Sequence, residues 1–187
     1  IHLTAINDNI ILVEASPEYV IPIKKSLIIV PQNVRPSDVK TSENETSMTM
    51  MTRNVKAVVN KQTGKIIFYD MKGNVLLQEA NNGKTFKNIQ VDGTKGYSWR
   101  ALFDSPEDEA FYGLGQHQAS EYNYKGKNEE LFQYNTKVSI PFIMSNKNYG
   151  LLWDSYSLCR FGNPNDYMQL NSAFTLYDRS EEHTSEL

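Results

Sequence analysis

The chain has 187 residues, enough for one large domain with a real core, and its 11% aromatic content with eleven Tyr excludes a chain that is disordered as a whole. Its formal net charge of −3 and the lack of any Lys/Arg cluster exclude a surface that tracks nucleic-acid phosphates. No apolar run approaches the roughly 20 residues of a membrane-spanning helix.

In chain order, LTAINDNIILVEASP (Leu3 to Pro17) places apolar and β-branched residues on either side of a polar Asn7 to Asn9, which predicts strand, turn, strand. SLIIVP (Ser26 to Pro31) predicts a short apolar strand stopped by proline. The polar stretch QNVRPSDVKTSENETS, Gln32 to Ser47, predicts an exposed loop, and its Asn44-Glu45-Thr46 matches the N-glycosylation acceptor pattern, a triplet that chance also produces. From Asn54 the runs VKAVVN, KIIFYD and VLLQE, separated by turns at Thr63-Gly64 and Lys72-Gly73-Asn74, predict a three-stranded meander, because glycine supplies the positive φ such turns need. Further strands are expected at KTFKNIQV, YSWRALFD, LFQYNT, KVSIPFIMS, YGLLWDS and AFTLYD. The one helical signal is SPEDEA, where Ser105 can cap and Pro106 suits the first helical position. Short strands, turn signals and no alternating helices predict an all-β, antiparallel β-sandwich.

The last residues, RSEEHTSEL (Arg179 to Leu187), break from the aromatic text before them and resemble the in-frame translation of a common sequencing adapter. The expected division is therefore a β-sandwich over 1–178 and a non-native tail over 179–187, with the chain a truncated piece of a longer protein. Taking the tail's one Arg and three Glu from 19 basic and 22 acidic residues leaves 18 and 19, a net charge of −1.

The densest chemistry lies between Phe111 and Asn135. Gly113 and Gly115 permit positive φ or close backbone approach, and the loop beyond them carries Gln116, His117, Glu121, Tyr122, Asn123, Tyr124, Lys125 and Lys127. Amides, an ionisable ring and aromatic faces suit sugars, whose C–H faces stack on rings and whose hydroxyls need fixed donors and acceptors. The same residues also fit a hydrogen-bonded loop over half-buried tyrosines. The Gly-x-Gly spacing has no third glycine and no following helix, so it makes no phosphate cradle. With a single cysteine, Cys159, and no His pair at ligand spacing, no disulfide, metal or other cofactor is expected. Phe111, Ile140, Pro141, Phe142, Leu151, Leu152 and Trp153 are expected to fill the core, and Asp154 to satisfy turn amides.

EAFYGLGQHQASEYNYKGKNEELFQYNT followed by IPFIMSNKNYGLLWDSYS resembles the N-terminal β-sandwich of glycoside hydrolase family 31, most closely its bacterial α-xylosidase branch. The Gln116-His117-Gln118 version of the run favours α-xylosidase over α-glucosidase. Ser155 stands where the family pattern often has Asn. The resemblance implies a galactose-mutarotase-like sandwich that packs on a following (β/α)8 barrel and lends the loop after Gly115 to the sugar pocket, with Gln116, His117, Tyr122 and Tyr124 as substrate-binding residues. It implies an oligosaccharide substrate, retention through a covalent intermediate, and two catalytic aspartates on the barrel. No catalytic residue is then expected here, and the chain alone is expected to be inactive. Two other readings remain open: a stand-alone carbohydrate-binding sandwich using Tyr122, Tyr124 and Trp153, and an aldose epimerase that would have to rely on His117 with Glu121.

Overall fold

The computed structural model describes residues 1–19, 21, 26–28, 30, 36–118, 120, 122–162, 167–175 and 185–186. It is an antiparallel β-sandwich, and no helix occurs among the described residues. The chain opens with β1 (His2–Ala5) and β2 (Ile11–Glu14), paired across the expected turn. A five-stranded meander follows: β3 (Lys40–Glu43), β4 (Ser47–Met51), β5 (Val55–Asn60), β6 (Ile66–Asp70) and β7 (Val75–Gln78).

The next group is β8 (Thr85–Val91), β9 (Thr94–Asp104), β10 (Phe111–Gln116), β11 (Asn128–Leu131) and β12 (Val138–Ser145). The last is β13 (Tyr149–Leu152), β14 (Cys159–Gly162), β15 (Tyr167–Thr175) and β16 (Ser185–Glu186). One six-stranded sheet runs β1-β2-β16-β13-β12-β10, and a five-stranded sheet runs β11-β14-β15-β9-β8. Of the expected tail, only Ser185 and Glu186 are described, and they pair with Val13 and Leu12.

Side chains alternate across each pleat, so every second residue faces the core. On β9 these are Trp99, Ala101 and Phe103, and on β2 Ile11 and Val13. They join Ala57, Phe68, Phe111, Leu151 and Trp153 in one contiguous core drawn from all three sheets. Trp99 stacks on Trp153 with centroids 4.3 Å apart, and Phe111 meets Phe161 edge to face at 5.9 Å, which ties the six-stranded sheet to the β9 sheet.

A buried ion pair in the segment between β7 and β8, Glu79 with Lys84, is held by further donors and acceptors. Glu79 accepts the Ile66 N–H at 2.8 Å, and Lys84 donates to the Gly64 carbonyl at 2.9 Å. Burial pushes the Glu79 carboxyl up and the Lys84 ammonium down, each partly offset by the other's charge.

Several expectations are corrected. Of SLIIVP, the described residues Ser26, Leu27, Ile28 and Val30 form no strand; Leu27 instead donates its N–H to the Tyr156 hydroxyl at 2.6 Å. Its apolar run had no alternation to distinguish a strand from an extended segment held at one point. Part of the expected loop 32–47 is the exposed strand β3, because Asn44 accepts the Thr46 and Ser47 N–H groups and so closes a β3–β4 hairpin. SPEDEA is a turn closed by the Glu109 N–H on the Pro106 carbonyl, not a helical turn. The expected strand LFQYNT contributes only Leu131 to β11, its remainder being a tight reversal bridged at Tyr134 and Lys137.

Ile140 and Phe142 are not core residues. Pairing of β12 with both β10 and β13 turns them outward, and the inward positions go to Ile143 and Ser145. Pro141 is tolerated in this interior strand because it lies opposite the register shift of β10 and beyond the β13 pairs, where no ladder N–H is required of it.

Candidate functional site

Three consecutive residues near the end of β10 have positive φ: Gly113 at 113°, Leu114 at 64° and Gly115 at 97°. Here the register against β12 shifts, so the segment is a β-bulge. Both glycines are needed for space as well as for conformation. A Cβ on Gly113 would lie 2.5 Å from the Phe142 carbonyl oxygen, and one on Gly115 would lie 2.1 Å from that of Val138. Leu114 accepts the strained conformation while its side chain is buried in the core.

At the bulge the Leu114 carbonyl meets His117, which turns back onto it. Its Nε2–H donates to that carbonyl at 2.7 Å, which fixes the ring's orientation. The other ring nitrogen, Nδ1, lies 3.3 Å from the Glu129 carboxylate, a contact that is an ion pair only when the ring carries both protons. Lys137 pairs with the same Glu129 oxygen, donates to the Glu130 carbonyl at 2.5 Å, and lies 5.3 Å from the Phe132 ring centroid. The base of the loop is therefore a nearly buried His117–Glu129–Lys137 cluster.

The rest of the loop is stitched to the start of β10. Tyr124 donates its N–H to the Phe111 carbonyl at 2.9 Å, and Asn123 accepts the Phe111 and Lys125 N–H groups. The Lys125 ammonium donates to the Ser105 hydroxyl and the Pro106 carbonyl, both at 2.6 Å. The Tyr124 ring, only 6% exposed, packs edge-on against His117 and Phe161.

The expected substrate-binding residues thus fall into two pairs. His117 and Tyr124 are packed beneath the loop, whereas Gln116 is exposed and Tyr122 is 88% exposed. Glu121 lies outside the described residues. Trp153 and Asp154 are buried, so the platform of Tyr122, Tyr124 and Trp153 has one exposed ring, Tyr122. Asp154 lies beside Tyr156, whose hydroxyl is pushed up first by burial and also by that carboxylate.

Two features escaped the sequence reading. The first is the convergence of His117 and Lys137 on Glu129, which brings together residues separated by a loop. The second is a groove between the β11–β12 reversal and the segment after β13, whose lining includes Phe132, Gln133, Ser139, Tyr156 and Leu158 and so mixes aromatic faces with an amide and hydroxyls. Among the described residues, no group of three or more His, Cys, Asp or Glu is placed to hold a metal ion.

Residues 1–161 match the family model of the glycosyl hydrolase 31 N-terminal galactose mutarotase-like domain. The chain belongs to glycoside hydrolase family 31. This family 31 sandwich is 31% identical over 145 residues to an α-xylosidase of Saccharolobus solfataricus, a match that covers 73% of this chain and 19% of that protein. It is similar to the crystal structure of a family 31 α-xylosidase from Xanthomonas citri, with a TM-score of 0.81 and 37% identity over 87% of this chain and 18% of that one. A family 31 α-xylosidase from a soil metagenome, complexed with xylose, gives a TM-score of 0.83 and 26% identity over 98% of this chain and 29% of that one. The family 31 sandwich therefore spans less than a third of the length of these relatives.

Proposed function

We propose that residues 1–178 are the non-catalytic N-terminal domain of a retaining α-glycosidase, an α-xylosidase acting on xylose-containing oligosaccharides. The domain packs on a (β/α)8 barrel that carries both catalytic aspartates, and it lends the loop after Gly115 to the sugar pocket. Residues 179–187 are a non-native tail. The observation that carries this reading is the likeness to α-xylosidases in both sequence and fold.

The geometry supports a division of labour within the loop. Gln116 and Tyr122 are the residues that touch sugar, one as a hydrogen-bonding amide and the other as a ring face. His117 and Tyr124 position them, the first through the Leu114 carbonyl and the second through the Phe111 carbonyl. On this reading the chain alone is inert.

The stand-alone binding module is the weaker reading, because burial of Tyr124 and Trp153 removes the aromatic surface it requires. Reading the source locus past the codon for Asp178 separates the two. A continuing frame with a barrel and two strand-end aspartates supports the enzyme; a stop directly after Leu187 overturns it.

A further inference from the structure

A groove of about 510 Å3 lies at the seam between the β5–β7 meander, the β1–β2 turn and the β12–β13 turn. Its volume is that of a small-molecule site. The floor is apolar, with Ile11, Phe68 and Leu77 buried and Val55 and Leu76 half-buried. Leu76 is the residue that the register between β6 and β7 skips. The rim carries five asparagines, Asn9, Asn54, Asn74, Asn146 and Asn148. Bonds within the fold pin the rim and so preform the groove. The Asn54 Nδ2 donates to the Asn9 Oδ1 at 2.7 Å, and the Asn74 Nδ2 donates to the Asp70 carboxylate at 2.7 Å. Asn146 accepts the Ala110 N–H at 2.9 Å and donates to the Asp108 carbonyl at 3.0 Å.

These bonds leave a defined set of polar groups over. Among the described residues, no hydrogen bond occupies the Asn9 Nδ2, the Asn54 Oδ1, the Asn74 Oδ1 or either end of the Asn148 amide. The two charges in the lining are already matched. Asp70 accepts the Lys72 and Asn74 N–H groups besides the Asn74 amide, and Lys147 pairs with Asp108. What remains is an uncharged set of donors and acceptors over an apolar floor. A sugar unit matches it, because each hydroxyl both donates and accepts while the C–H face needs an apolar bed. An anion finds no unmatched cation in this lining, and a purely apolar ligand would strip water from the amides without replacing it. We propose that this groove is a saccharide site of the sandwich itself, formed without any residue of the loop after Gly115. It lies at the Ser145 end of β12, whereas Gln116 pairs with Val138 at the other end, roughly 23 Å away along an eight-residue strand. The lining specifies a neutral sugar; the choice of a xylose-containing chain as its ligand rests on the proposed function.

Amide NMR of the isotope-labelled 187-residue chain tests the proposal, because asparagine side-chain amides report contact directly. Titration with a xyloglucan heptasaccharide is expected to move the Asn9, Asn54, Asn74 and Asn148 side-chain signals along one saturating curve in the millimolar range. Maltotriose serves as a second neutral sugar and inorganic phosphate as the anion control. Saturation by maltotriose alone keeps the saccharide site and overturns the xylose assignment. Asn148→Gly removes an amide but keeps the positive φ of 65° at its turn, and is expected to weaken sugar binding about fivefold. Asn9→Ala, at another exposed rim position, is expected to have a similar effect. Unchanged affinity in both variants, with unchanged thermal midpoints, overturns the site. So does a titration in which neither sugar moves the rim signals, or in which phosphate alone moves them, or in which sugar moves Gln116 and Tyr122 and leaves the rim unmoved. Hydrolysis of an aryl α-xyloside by the longer polypeptide from the same reading frame is read separately. Activity there with a silent rim overturns the site and leaves the proposed function intact, whereas a saturating rim in a protein without activity supports the site and overturns the function.

Discussion

Gly115 approaches Val138 so closely that a single added methyl would overlap the Val138 carbonyl oxygen at 2.1 Å. This approach lets β10 bulge where the loop starts. Gly115→Ala is expected to cost about 3 kcal/mol, combining the left-handed penalty with the clash. Urea denaturation reads the loss, and a change below about 0.5 kcal/mol would show that β12 can retreat at no cost.

Glu129 pairs with the nearly buried Lys137 and lies 3.3 Å from the Nδ1 of His117. Glu129→Gln leaves the Lys137 ammonium without its counter-charge and is expected to destabilise the chain by about 3–5 kcal/mol. Adding Lys137→Met should restore part of that loss, since the uncompensated charge goes with it. A double-mutant cycle in urea checks the coupling, and strict additivity would show that the contact contributes nothing.

Exposed Tyr122 and buried Trp153 should respond oppositely to truncation. Trp153→Ala removes a buried ring stacked on Trp99 and is expected to cost about 3–5 kcal/mol. Tyr122→Ala should lie within about 0.5 kcal/mol of the unsubstituted chain, because the ring is in solvent. Thermal melts of the two variants distinguish them, and a similar loss for both would contradict the assignment.

Acid sensitivity follows from the exposed turns. Hydrogen bonding by the Asn74 side chain is the largest cause that holds the Asp70 carboxyl below its ordinary value of 3.8, with the Asn74, Lys72 and Gly73 N–H groups adding to it. A carboxyl depressed in the folded state stabilises above its unfolded value and loses that contribution as pH falls through the folded one. Asp8, bonded to Ser37, and Asp108, bonded to Lys147, shift in the same direction. The thermal midpoint should therefore fall as pH drops below about 3.8, and Asp70→Asn should flatten that fall. An equally steep fall in the variant would remove Asp70 from the explanation.

The fold class was legible because alternation and glycine turns are local signals. The β5–β7 meander needs only Gly64 and Gly73 to be read correctly, and both have positive φ. What lay beyond the sequence was which face of a strand is covered. Ile140-Pro141-Phe142 reads as a core run, yet the face it presents depends on register with β10 and β13, partners whose pairing only the folded sheet decides. The loop was legible as a site of unusual chemistry at Gln116 and His117. Its inward turn at His117 was not, because the anchoring acceptor is the Leu114 carbonyl at a bulge that the Gly-Leu-Gly spelling permits without specifying.

The proposed function has this sandwich serve an α-xylosidase whose chemistry resides elsewhere in the same polypeptide. The most direct measurement is proton NMR of aryl α-xyloside hydrolysis by the full reading frame's product, run beside residues 1–178 alone. The long protein is expected to release α-xylose as the first anomer, and the short one to give no hydrolysis. Hydrolysis by residues 1–178, or a long protein that leaves the xyloside intact, would contradict it.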